Sequence, residues 1–115
     1  MLTVDKLKAF GANTEEGLAR CMNNEQFYLR VVGMGLEDKS FEELRAALDA
    51  GDLDTAFEKA HALKGVLGNL SLTPIYEPVQ KMTELLRART QMDYTGLLEE
   101  AVGLRDKLQA MSQED

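Results

Sequence analysis

The chain is short of most things on which other classes of protein depend. One cysteine, Cys21, among 115 residues excludes an internal disulfide and any CxxC metal or redox motif. No apolar run approaches the ~18 residues of a membrane span. The opening Met1-Leu2-Thr3-Val4-Asp5-Lys6 lacks the charged start and apolar core of a secretion signal. A cytoplasmic location with no membrane association is therefore expected. Positive charge is also scarce: 13 Lys and Arg face 20 Asp and Glu, a formal charge of -7, and the basic residues are scattered. A nucleic-acid surface would need a clustered basic excess, so nucleic acid is not an expected partner. Proline occurs only as Pro74 and Pro78, tryptophan is absent, and His61 is the single histidine.

What is present is helical periodicity. Apolar residues recur every three to four positions almost everywhere and nowhere alternate, so the chain reads as helices joined by short turns. At 44% hydrophobic content it suits one domain over residues 1–115, able to bury roughly two thirds of its unfolded surface. A short first helix is expected after Thr3, with Val4, Leu7 and Phe10 inside and Gly11 ending it. Asn13 with Glu16 resembles a capping box ahead of Leu18, Cys21 and Met22, and Asn23 with Gln26 opens a longer helix with Phe27, Val31, Met34 and Leu36 inward. Ser40 with Glu43 makes the cleanest box, followed by Phe41, Leu44, Ala47 and Leu48, and Gly51 stops that helix.

Asp52 caps a helix running to about Leu72. Thr73 caps the next with Pro74 at its first position, Pro78 delaying or kinking its start, and Val79, Met82 and Leu86 inside. Asp93 opens the last helix, whose Leu97, Ala101, Leu104, Leu108 and Met111 form a bundle seam, and Gln113-Glu114-Asp115 is a frayed end. Turns this short make neighbours antiparallel. The expected fold is all-α, an antiparallel up-and-down four-helix bundle with additional short N-terminal helices.

The organising stretch is Ala60-His61-Ala62-Leu63-Lys64-Gly65-Val66-Leu67-Gly68-Asn69-Leu70-Ser71-Leu72. Positions i, i+3, i+4 and i+7 share one helical face, which places His61, Lys64, Gly65 and Gly68 in a single stripe. At roughly 100° per residue, Leu53, Ala56, Ala60, Leu63, Leu67 and Leu70 form the buried face. His61 and Gly65 fall outside it, and Lys64 lies at its edge with its stem on apolar surface and its ammonium in water. Each interior glycine costs about 0.5 to 1 kcal/mol relative to alanine, and the helix itself has no use for them. Bare backbone beside an accessible imidazole leaves room for another molecule.

Spacing alone gives His61 no task. Without a second histidine it is a poor metal site, no nucleophile elbow suggests a hydrolytic triad, and the methionines read as core filler or surface scatter. Paired acids such as Glu15-Glu16, Glu42-Glu43 and Glu99-Glu100 read as solvated helix faces.

The motif from Ala60 to Gly65, continued by Gly68-Asn69-Leu70-Ser71-Leu72, resembles the signature of the histidine-containing phosphotransfer (HPt) domain of bacterial multistep phosphorelays. Glu15-Glu16-Gly17-Leu18-Ala19-Arg20 and Asn24-Glu25-Gln26-Phe27-Tyr28-Leu29 are similar to the opening of such domains, so the likeness spans nearly the whole chain. The resemblance implies His61 as phosphoacceptor, Lys64 as the cation beside the phosphoryl group, and Gly65 and Gly68 as the small residues that admit a partner. It also implies receiver domains of response regulators, a hybrid sensor kinase, or both as partners of a monomer.

Two positions depart from the family. Ser71 stands where glycine is common. Thr83 stands where a glutamine or glutamate on the following helix bonds the imidazole and fixes its tautomer, so the Thr83 hydroxyl does this, Gln80 or Glu84 substitutes, or the bond is missing.

A free imidazole is mostly neutral at neutral pH and attacks phosphorus without a general base. The chain offers no glycine-rich ATP loop and no acidic magnesium pocket near His61. No cofactor is expected here, and magnesium belongs to the partner receiver. The protein would then shuttle phosphoryl groups between receiver aspartates without binding ATP or phosphorylating itself. The alternative is a helical adaptor that docks signalling partners without chemistry. A third reading, the phosphotransfer part of a chemotaxis-type kinase, is weakened because no dimerisation, ATP or coupling domain follows. Apolar residues near the histidine, Val4, Leu7 or Leu72, are the candidate docking surface.

Overall fold

Most of the helices begin where a nearby side chain accepts from an unpaired backbone N–H. In a computed structural model describing residues 1–114, seven helices follow one another and no strand occurs among the described residues. Three helices lead: α1 (Val4–Phe10), α2 (Thr14–Arg20) and α3 (Glu25–Leu36). Then come α4 (Ser40–Asp49), α5 (Leu53–Asn69), α6 (Thr73–Arg87) and α7 (Thr95–Ser112). Thr3 caps α1 by accepting from the Lys6 N–H, and Gly11 closes it in the left-handed region at φ 109°. Asn13 accepts from the Glu16 N–H at the head of α2, and Asp52 accepts from the Thr55 N–H at the head of α5, as the sequence led us to expect. Gly51, at φ 71°, ends α4 where a side chain would be strained.

Three starts differ from expectation and a fourth agrees with it. Asn24, not Asn23, caps α3, because Met22 and Asn23 both adopt left-handed backbone and the Asn23 N–H returns to the Leu18 carbonyl to finish α2. Ser40 is already helical; Asp38 accepts from its N–H at 2.8 Å and takes over the cap. Thr73 lies inside α6 behind Leu72, which offers no side-chain cap, and Pro78 is accommodated within the helix and buried without delaying its start. Asp93 accepts from the Thr95 N–H at 2.9 Å, so it does open α7, from just outside it.

The last four helices close into the up-and-down bundle. Contacts join α4 to α5, α5 to α6 and α6 to α7. The ring is completed by an Arg45–Glu99 ion pair at 2.7 Å and by the Arg105 guanidinium lying 4.8 Å from the Phe41 ring centroid, both between α4 and α7. On α5, Ala56, Ala60, Leu63 and Leu67 are fully buried. Burial stabilises each of the two leucines by about 1.5–3 kcal/mol. The seam of α7 is Tyr94, Leu98, Ala101, Arg105 and Leu108. The expected Leu97, Leu104 and Met111 are only partly covered, because an arginine stem over Phe41 fills a place where periodicity asks for an apolar residue.

The inward face of α3 is likewise turned by one residue: Tyr28, Val32, Gly35 and Leu36 are buried, while Phe27 and Met34 are exposed. Of the α2 residues expected inside, Leu18 packs on the core while Met22 is exposed. No helix is long and apolar enough to cross a membrane. Within the expected frayed end, Gln113 and Glu114 are exposed, but the Glu114 carbonyl accepts from the N-terminal ammonium at 2.8 Å; Asp115 lies outside the described residues.

The leading helices brace the far end of α5, and glycine makes this possible. The Tyr28 hydroxyl donates to the buried Leu70 carbonyl at 2.9 Å. Burial, with a smaller contribution from Cys21, pushes its pKa up to about 12, so the phenol keeps the proton it donates. A Cβ on Gly17 would meet the Tyr28 ring at 2.5 Å, and one on Gly35 would run into Leu70. Gly17→Ala is therefore expected to destabilise the fold by about 1–3 kcal/mol, since Tyr28 has no room to retreat. Gly103→Ala, with nothing within 4 Å, is the control and should stabilise. Thermal melts decide it, and a Gly17→Ala midpoint at or above the native one refutes the packing argument.

The Asp52 cap makes a pH prediction. Its hydrogen bonds from the Thr55 hydroxyl first and the Thr55 N–H second hold its carboxyl below the usual carboxylate range. A depressed folded-state pKa contributes stability that is present above the unfolded value and is lost as pH falls through the folded one. Asp52→Asn should thus lower the melting temperature at neutral pH, with the difference from native shrinking as pH falls through and below the usual carboxylate range. A difference unchanged by acid would refute the charge-assisted cap.

Candidate functional site

His61 stands near the middle of α5, exposed, with Ala60 on one side fully buried and Lys64 one turn on half-buried. The buried stripe of α5 sets this outcome, because fixing Ala56, Ala60, Leu63 and Leu67 inward leaves His61 and Gly65 facing out. A groove of about 560 Å³ runs along that face. His61, Lys64, Gly65 and Gly68 line it together, so the four residues expected to share a surface do share one.

Other elements supply the remaining walls. Tyr76 comes from α6 and Glu16 and Arg20 from α2. Arg20 pairs with Glu16 at 2.9 Å and donates to the Gly68 carbonyl. Ser71 sits in the left-handed region at φ 59°. Such a backbone costs a non-glycine residue on the order of 1–3 kcal/mol. Here the serine is tied down by α2: its hydroxyl donates to Glu16 at 3.1 Å and its carbonyl accepts from the Asn13 N–H at 2.9 Å. That is the physical use of serine where glycine is common.

The two groove glycines differ. A Cβ on Gly65 would meet nothing within 4 Å, so the fold has no need of glycine there. At Gly68 a Cβ would lie 3.3 Å from the Tyr76 ring, and part of that glycine's role is internal packing.

The Lys64 ammonium lies 3.6 Å from the Glu84 carboxylate on α6. The hydrogen bond from Arg87, with the charges of Arg87 and Lys64 adding to it, holds Glu84 below the usual carboxylate range and keeps it ionised. An exposed pair of this kind is weak, so the ammonium is free to turn to a stronger anion. Thr83 is fully buried and its hydroxyl donates to the Val79 carbonyl at 2.7 Å, which points it along its own helix. Among the described residues no hydrogen bond joins Thr83, Gln80 or Glu84 to the imidazole; Gln80 is exposed, and Glu84 is engaged with cations. What does touch the ring is Phe57, one turn before it, stacked at 5.6 Å between centroids and 13° between planes.

Among the described residues no group of three or more His, Cys, Asp or Glu side chains is placed to hold a metal. Leu7 and Leu72 are fully buried and present no docking surface; both fill the core, and Val4 is only partly covered. Arg20, Tyr76 and Phe57 were not among the sequence candidates. The i−4 spacing of Phe57 from His61 is a signal available in the sequence, whereas nothing local announces that Arg20, on a separate short helix, meets the end of α5.

A lone accessible imidazole with cations and uncovered backbone beside it, at the middle of a bundle helix, defines a surface histidine site and not an enclosed catalytic pocket. The chain belongs to the Hpt domain family, the histidine phosphotransfer modules of phosphorelays, whose family model matches residues 38–114. That span holds α4 to α7 and His61; the likeness expected for residues 15–29 falls outside it. No curated protein and no solved structure matches the chain.

Proposed function

We propose that the protein is a phosphorelay intermediate in which His61 takes a phosphoryl group from the phosphoaspartate of one receiver domain and passes it to the aspartate of another. The observation that carries the reading is the single imidazole exposed at mid-bundle, in a groove with Lys64 on one side and open backbone at Gly65. In the accepting step the imidazole lone pair attacks phosphorus. An N–P bond forms, the acyl P–O bond breaks, and the departing carboxylate keeps its electron pair. The imidazole N–H remains on the other ring nitrogen, so no proton needs to move. Donation is the same step run towards a second carboxylate.

The phosphoryl group brings about two negative charges, by analogy with other phosphorylated side chains. Lys64 turns from Glu84 to meet them, while the charge of Arg20 at the other end of the groove is balanced by Glu16. A unit-charge pair at ~4 Å is worth roughly 1 kcal/mol in water and about 4 kcal/mol at the effective dielectric near a surface. Attraction of that size holds a group that must later be given away. Magnesium and the acidic cluster that binds it reside on the receiver, and the protein works as a cytoplasmic monomer without ATP.

The test is incubation with a panel of radiolabelled, phosphorylated receiver domains and, separately, with ATP alone. Acid-labile, base-stable label from at least one receiver and none from ATP is the expected result. Absence of label from every receiver would overturn the relay in favour of an adaptor that docks partners without transfer.

A further inference from the structure

Phase and spacing bring a second aromatic ring under the phosphoacceptor, whose imidazole makes no hydrogen bond among the described residues. Phe57 and His61 lie four residues apart on one face of α5, and their rings are nearly parallel at 13°, with centroids 5.6 Å apart. Phe57 is itself held from α6 and the turn after it. The guanidiniums of Arg87 and Arg89 lie 5.0 Å and 4.9 Å from its centroid.

Those two arginines are anchored in turn. Arg87 bonds Glu84 at 3.4 Å and Arg89 bonds Asp54 at 2.6 Å. Arg89 also occupies left-handed backbone, at φ 53°, while its guanidinium donates to the Leu86 carbonyl at 2.8 Å. A strained residue persists where its surroundings over-determine it, and here the Asp54 carboxylate and the Leu86 carbonyl hold Arg89 against the phenyl ring.

We propose that Phe57 is the positioning residue of His61: its ring, clamped by Arg87 and Arg89, holds the imidazole plane in the orientation for in-line attack, the task a hydrogen bond from the next helix would otherwise perform. An exposed imidazole without a hydrogen-bond partner turns about its side-chain torsions on a picosecond to nanosecond scale. Stacking narrows that range without using either ring nitrogen, so the nucleophilic lone pair stays free. A phosphorylated ring can keep the same stack, since the added group leaves from the ring edge and not from its face.

The inference rests on the relay reading, and two measurements separate their failures. In the free protein, the carbon-bound His61 ring protons should resonate upfield of an unstacked histidine through the Phe57 ring current. This shift should vanish in Phe57→Leu and persist in Phe57→Tyr. In single-turnover transfer from a phosphorylated receiver, Phe57→Leu should lower the maximal rate about five- to tenfold. The half-saturating receiver concentration should stay unchanged, and Phe57→Tyr should restore the rate.

A Phe57→Leu protein that transfers at the native rate overturns the proposal. So does a loss seen only as weaker receiver binding, or a ring-current shift that survives removal of the phenyl group. A native protein that takes label from no receiver overturns the relay reading instead, and the ring-current comparison still decides whether Phe57 orders the ring.

Discussion

His61→Gln is expected to bring phosphoryl acceptance from every labelled receiver down to background while leaving the fold intact. Glutamine has a similar reach and good helix propensity, but its amide nitrogen has no lone pair available for attack on phosphorus. Each face of the histidine then matters for a different readout. Towards the core it contributes little, because the side chain is exposed and makes no hydrogen bond among the described residues. Losing the Phe57 stack sets the stability cost, about 0.5–1.5 kcal/mol at most. Towards solvent it contributes the nucleophile itself, for which the chain has no second imidazole. Circular dichroism melts and label transfer measured on one preparation separate the two. A His61→Gln protein that still takes label as the native protein does would show that another residue is the acceptor and would sink the relay reading.

The frame of this site was readable in the sequence because it follows from a strong regularity. Ala56, Ala60, Leu63 and Leu67 recur with helical period, and burying them leaves His61 and Gly65 outside whatever the rest of the chain does. Gly11, Asn13, Gly51 and Asp52 also acted as expected, since left-handed backbone and side-chain caps are local chemistry. What was not legible depends on choices between near-equal alternatives or on distant contacts.

On α3 apolar residues occur on both sides of the correct stripe, and Tyr28 wins over Phe27 because its hydroxyl finds the Leu70 carbonyl. On α7 the seam passes through Arg105, whose charge hides an inward position that its stem fills over Phe41. At the site, Arg20 is placed by the fold of α2 across the end of α5, and no spacing rule links residues so far apart. The Thr83 hydroxyl was one of three sequence candidates, with Gln80 and Glu84, for a bond to the imidazole. In the folded chain a buried hydroxyl takes the nearest acceptor, the Val79 carbonyl in the preceding turn, as threonine often does inside helices.

Gly65→Leu should make the protein more stable and a worse phosphotransfer partner at once. At this helical position a Cβ meets nothing within 4 Å, so the substitution recovers the conformational penalty of glycine. The gain is about 0.5–1 kcal/mol, or roughly 2–5 °C in melting temperature for a domain of this size. The same open space is where the receiver must come in. Attack requires the reacting nitrogen and phosphorus to approach to about 3–3.5 Å, and a misplacement of about 1 Å costs on the order of a hundredfold in rate.

A leucine one turn beyond His61 on the same face displaces the partner by at least that much, so transfer should fall about a hundredfold, with Gly65→Ala intermediate. Gly68→Ala supplies the contrast. Its Cβ is pressed to 3.3 Å from the Tyr76 ring, so the stability gain should shrink or reverse. Opposite signs for stability and transfer at Gly65 are what a surface kept bare for a visitor requires. If Gly65→Leu transfers phosphate at the native rate, the receiver does not approach across this face, and the groove has some other use.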